Sequence, residues 1–138
     1  MTQEPALHRR MFMMSTVAAL MPWDARAYPS QAFTPGFWTA QRDSSDVVIL
    51  NYRAAWSLTC QIKADLIAQA LADTPEYQSL TFIDVDWDTF GRSVLTERLG
   101  VKRRSTLLVM KGRTEITRLE NDPRAAPVRA LLDAALAA

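Results

Sequence analysis

Few residues in this chain can do covalent chemistry. Cys60 is the one cysteine and His8 the one histidine among 138 residues. A single thiol cannot cycle through an internal disulfide. His8 lies in an N-terminal appendage, so neither a His/Cys metal centre nor a Cys–His or Ser–His catalytic pair is expected. Ser57 stands three residues before Cys60. Its hydroxyl has no accessible anion at neutral pH and no histidine to activate it. Asp84, Asp86 and Asp88 alternate, but the glycine and distal glutamate of a calcium loop are missing. The methionines at 11–14 read as apolar filler of a leader, not as a copper site. No metal and no cofactor is expected. The net charge of +1 points to neither nucleic acid nor an acidic membrane surface as partner.

The elements that must position these residues follow from periodicity and punctuation. Pro35 can open a short helix that ends before Asp43-Ser44-Ser45-Asp46. Val47-Val48-Ile49-Leu50-Asn51-Tyr52 is a β-branched apolar run suited to a strand buried on both faces. The stretch 54–72 reads as a helix, with Ile62, Leu66 and Ala70 on one side and Lys63 and Asp65 toward another. Thr74-Pro75 stops it. A second strand covers 80–86. Asp88 can cap a helix that carries Val94, Leu95 and Leu99 and ends at Gly100. Thr106-Leu107-Leu108-Val109-Met110, a turn at Lys111-Gly112-Arg113, and the alternating 114–119 form a hairpin. Asp122-Pro123 is expected to cap a last helix with Val128, Leu131, Leu132 and Leu136 on one face. This order predicts an α/β domain, a mixed central sheet of about four strands with helices on both faces.

That order, with four local motifs, resembles the thioredoxin family. A buried strand leads into Ala54-Ala55-Trp56-Ser57-Leu58-Thr59-Cys60, where thioredoxins carry Ala-any-Trp-Cys-any-any-Cys. Asp84-Val85-Asp86-Trp87-Asp88 resembles the Val-Asp-Val-Asp strand end of the family. Ser105-Thr106 stands where thioredoxins have a cis-proline followed by threonine. Met110-Lys111-Gly112-Arg113 resembles their hairpin turn. Arg103-Arg104-Ser105-Thr106 is also similar to a segment that replaces the proline in some exported bacterial relatives. The match covers roughly 34–138.

The resemblance implies roles and also departures. Family chemistry uses an exposed thiolate at a helix N-terminus, resolved by a second cysteine one turn later. Here Ser57 occupies the attacking position and Cys60 the resolving one. Asn51 replaces a buried aspartate that accepts the resolving proton. Asp84 falls where many members have a lysine. A desolvated Asp84 can serve Cys60 as a base; the other reading is a hydrogen-bonded or wet strand-end residue. Ser105 at the cis-proline position is expected to be trans, because a non-proline cis bond costs about 3 kcal/mol. The peptide-binding edge implied by the resemblance consists of Trp56, Leu58, Thr59, Arg104, Ser105 and Thr106. Arg103 and Arg104 either select acidic partners or are solvated loop charges.

The N-terminus reads as an address. Arg9-Arg10 precedes an apolar run of about a dozen residues, too short to span a bilayer. Ala25-Arg26-Ala27 supplies a small–any–small cleavage pattern, and the paired arginines before Phe12 resemble a twin-arginine signal. An amphipathic helix packed on the domain and an uncleaved anchor are the alternatives. The expected organisation is a signal peptide at 1–27 and a thioredoxin-like domain at 28–138. The mature domain would then lie in the periplasm without stable membrane insertion. The function expected is a non-catalytic module that binds a protein or peptide. The alternative is monothiol chemistry at Cys60 through a mixed disulfide with a partner. Two further options are a Ser57 hydrogen bond to a bound thiolate and a redox role in which a partner supplies the missing thiol. A buried Cys60 sulfur favours the binding module.

Overall fold

The computed structural model describes residues 27–138; the expected signal segment lies outside them, apart from Ala27. The expected architecture is present and has one more strand. A five-stranded mixed sheet runs in the order β1-β3-β2-β4-β5. Its strands are β1 (Gln31–Ala32), β2 (Val47–Arg53), β3 (Thr81–Asp86), β4 (Thr106–Lys111) and β5 (Thr114–Glu120). β1, β3 and β2 are mutually parallel, while β4 is antiparallel to β2 and to β5. β1 is only two residues long, too short for its sequence to show the alternation of a strand.

Helices cover both faces. α2 (Leu58–Asp73) and α5 (Ala125–Ala137) lie on one. There Ile67, Leu71, Val128 and Leu132 pack on Ile49, Phe82, Leu107 and Val109. α1 (Pro35–Arg42), α3 (Trp87–Phe90) and α4 (Val94–Arg98) cover the other. Their Phe37, Trp38, Trp87, Phe90 and Leu95 meet Leu50, Tyr52, Ile83, Val85 and Leu108. β2 is central and covered on both faces, so the continuous apolar run 48–50 is what its place demands.

Local chemistry set the boundaries that differ from expectation. α2 starts at Leu58 rather than near residue 54, because Ser57 is its N-cap. The helix expected from Asp88 is split in two. At Gly91 a Cβ would lie 2.6 Å from the Trp87 carbonyl oxygen, and Ser93 then caps α4 by accepting the Thr96 N–H. Asp88 sits inside α3 and does not cap it. α5 begins at Ala125, and Asp122 instead grips the Arg124 guanidinium at 2.7 and 2.8 Å. Leu136 is exposed rather than on the buried face. No helix of the described residues is long and apolar enough to cross a membrane.

Candidate functional site

The site is the junction where β2 ends and α2 begins. Ser57 turns the chain: its N–H donates to the Ala54 carbonyl at 3.1 Å. Its hydroxyl accepts the Cys60 N–H at 3.4 Å, satisfying one of the free donors of the first helical turn. Ser57 is only 3% exposed. The resemblance places an exposed attacking thiol at this position; the serine hydroxyl found there is buried and engaged in capping. Cys60 is 7% exposed, inside the first turn of the helix.

The residues on either side of Ser57 face outward. Trp56 is 59% and Leu58 69% exposed, while Thr59 is half-buried. Two charged side chains bracket the indole. Its N–H donates to the Asp88 carboxylate at 3.1 and 3.2 Å, and the Arg104 guanidinium stacks 4.5 Å from the ring centroid.

Beneath the turn lies a polar layer on the α2 side of the sheet. Asn51 and Asp84 are register partners on adjacent strands. Asn51 Nδ2 donates to the Tyr28 hydroxyl at 2.7 Å. Tyr28 is buried against Phe82, ring centroids 4.8 Å apart. Burial pushes the Tyr28 phenol well above its ordinary range, and the Asp84 charge adds to the effect. Asp84 Oδ2 accepts from the Ser30 hydroxyl at 2.8 Å and from Arg53 at 3.3 Å. This is the hydrogen-bonded strand residue of the two expectations.

Lys63 is the largest surprise. Expected on a polar side of α2, it is 2% exposed. Its ammonium donates to the Ser105 carbonyl. Burial pushes its pKa down to about 8, against the opposing negative charge of Cys60 and Asp122. Ser105 is held at φ +62°, in the left-handed region, with every described peptide bond trans, as expected there. Its N–H donates to the Tyr52 carbonyl at 2.7 Å, and its carbonyl also accepts the Asn121 N–H at 2.9 Å. Its hydroxyl has no hydrogen-bond partner among the described residues. Thr106 is buried and donates through Oγ1 to the Arg103 carbonyl at 2.8 Å. Ser105 and Thr106 therefore shape the edge but offer it no exposed side chain, a correction to their expected contact role. Arg104 is exposed.

The structure thus brings together Trp56, Ser57, Leu58, Cys60, Arg104 and Ser105. Tyr28 and Lys63 escaped the sequence reading. Tyr28 lies in a segment with no periodicity. Lys63 did leave a signal: Cys60, Lys63, Ile67, Ala70 and Leu71 are the buried residues of α2, a helical stripe one residue out of phase with the one expected. No group of three side chains able to hold a metal occurs among the described residues.

No family model matches this chain, and no curated protein does. Solved structures do. Trxlp from Edwardsiella tarda superposes with a TM-score of 0.64 at 18% identity, over 75% of this chain and 98% of that one. The thioredoxin of Malassezia sympodialis gives 0.65 at 17%, over 79% and 92%. Plasmodium falciparum thioredoxin gives 0.59 at 20%, over 75% and 96%. Identities this low speak for architecture alone, and the architecture is that of the thioredoxins: the chain has the thioredoxin fold.

Proposed function

We propose that this is an exported thioredoxin-like protein that holds a protein or peptide partner without dithiol turnover. The observation that carries this reading is the state of the two residues at the turn. Cys60 is 7% exposed, and the Ser57 hydroxyl caps the helix. A thiol-disulfide exchange needs a thiolate that a partner disulfide can reach in line, and a capping serine supplies no second thiol. What the surface offers instead is Trp56 and Leu58, with Arg104 beside them. Aromatic, apolar and arginine side chains are the groups that anchor protein interfaces. Export to the periplasm, with cleavage after Ala27, rests on the leader pattern and on the domain's use of Tyr28 as a core residue.

One observation favours monothiol chemistry as the second reading. Lys63 stands three residues after Cys60 on α2, and both are buried residues of that helix; a basic side chain near the thiol is the setting that monothiol chemistry uses. The purified protein should give no insulin disulfide reduction with dithiothreitol as electron donor. Cys60 should react slowly with a thiol probe in the native state and completely in denaturant. Insulin turnover would overturn the binding reading. Fast native labelling would transfer the case to the monothiol reading. N-terminal sequencing of the periplasmic fraction should begin at Tyr28, and recovery only from cytoplasm would remove the export claim.

A further inference from the structure

We infer that the docking surface around Trp56 selects an acidic segment of its protein partner, read by Arg103 and Arg104; this deepens the binding reading above and rests on it. The first ground is that the basic loop is fixed in place. At its start, Arg118 donates to the Leu99 and Gly100 carbonyls at 2.5 and 3.2 Å, and Val101 is buried. At its end, Ser105 is tied to Tyr52, Asn121 and Lys63. Between these anchors Lys102, Arg103 and Arg104 are all exposed. A loop ordered in advance loses little further entropy on binding.

The second ground is charge. None of the three cations has an ion-pair partner among the described residues. Arg104 lies on the Trp56 ring itself, so a partner cannot cover the indole without covering the guanidinium. A guanidinium removed from water without an anion is strongly unfavourable, whereas a carboxylate can meet it with two parallel hydrogen bonds. The nearby Asp88 does not meet that need: its carboxylate accepts the indole N–H and makes no ion pair with Arg104 among the described residues. The partner must therefore bring the carboxylates, together with an apolar side chain for Trp56 and Leu58. Three cations on a chain of net charge +1 are too few for a phosphate backbone to be the favoured partner.

Fluorescein-labelled decapeptides that alternate leucine with glutamate, glutamine or lysine test this by anisotropy on the full-length protein. The glutamate peptide should bind at least about tenfold more tightly than the glutamine peptide, with the difference shrinking at high salt. The lysine peptide should bind most weakly. In the Arg103→Glu/Arg104→Glu protein the order should reverse, with Arg103→Gln/Arg104→Gln abolishing the preference if the charge-reversed protein fails to fold. Equal binding of the glutamate and glutamine peptides overturns the acidic preference while leaving the docking reading intact. A preference that survives both double substitutions overturns it too. Failure of every peptide to bind overturns both, and tighter binding of a single-stranded oligonucleotide than of the glutamate peptide overturns the choice of partner.

Discussion

Ser105 shows how one residue can make a family's signature side chain unusable. Its φ of +62° is closed to proline, whose ring holds φ near −65°. Its N–H donates to Tyr52, a bond proline cannot make. Placing proline here, by Ser105→Pro, should therefore cost about 3 kcal/mol or more. Urea unfolding measures it, and an equally stable variant would refute the account. Lys63 acts at the same scale through its proton. In the fold it titrates near 8, and in the unfolded chain near the ordinary 10.5. Between those values the unfolded chain binds more protons, so this residue makes stability rise with pH, by about 3 kcal/mol over the window. Below 8 its burden on the fold is constant. Tyr28 and Tyr52, both raised by burial, pull the other way only above about pH 10. Lys63→Met should thus lose the rise in stability expected of the parent in urea melts between about pH 8 and 10. A parent and variant with parallel profiles would count against a buried, proton-releasing lysine.

At the level of elements, the helix α2 and the hairpin were legible to different depths. The hairpin is written in its turn: Gly112 has φ +57°, and a Cβ there would lie 2.4 Å from the Ser44 carbonyl oxygen. Gly112→Ala should cost about 2 kcal/mol, from left-handed strain plus the clash; thermal unfolding reports it, and an unchanged melting temperature would mean that the turn relaxes freely. α2 was harder. Ile62, Leu66, Ile67, Ala68, Ala70 and Leu71 leave apolar residues on nearly every side of it. The stripe therefore had two plausible phases one residue apart, a rotation of about 100°. Packing against α5 and the sheet selected the phase that buries Lys63 and leaves Ile62 exposed.

Over the whole molecule, the two faces of the sheet have different tasks. The α1, α3 and α4 face is packed with aromatic residues: Phe33 stacks edge-on to Phe37 and Phe90, and Tyr52 to Trp87. The α2 and α5 face carries the polar layer of Tyr28, Asn51 and Asp84 at the end where the turn emerges. Composition and order alone determined the α/β class, the hairpin, the absence of an internal disulfide and the lack of a histidine partner for serine or cysteine. These depend on residue identity and local periodicity, which a linear chain displays in full. Tertiary structure decided what the turn can do. Burial of Cys60, the pairing of Asp84 with Arg53 and the arrival of Lys63 beneath Ser105 each depend on residues far apart in the chain meeting in one place. Spacing does not encode such meetings, because they follow from the phase of a helix and the register of a sheet.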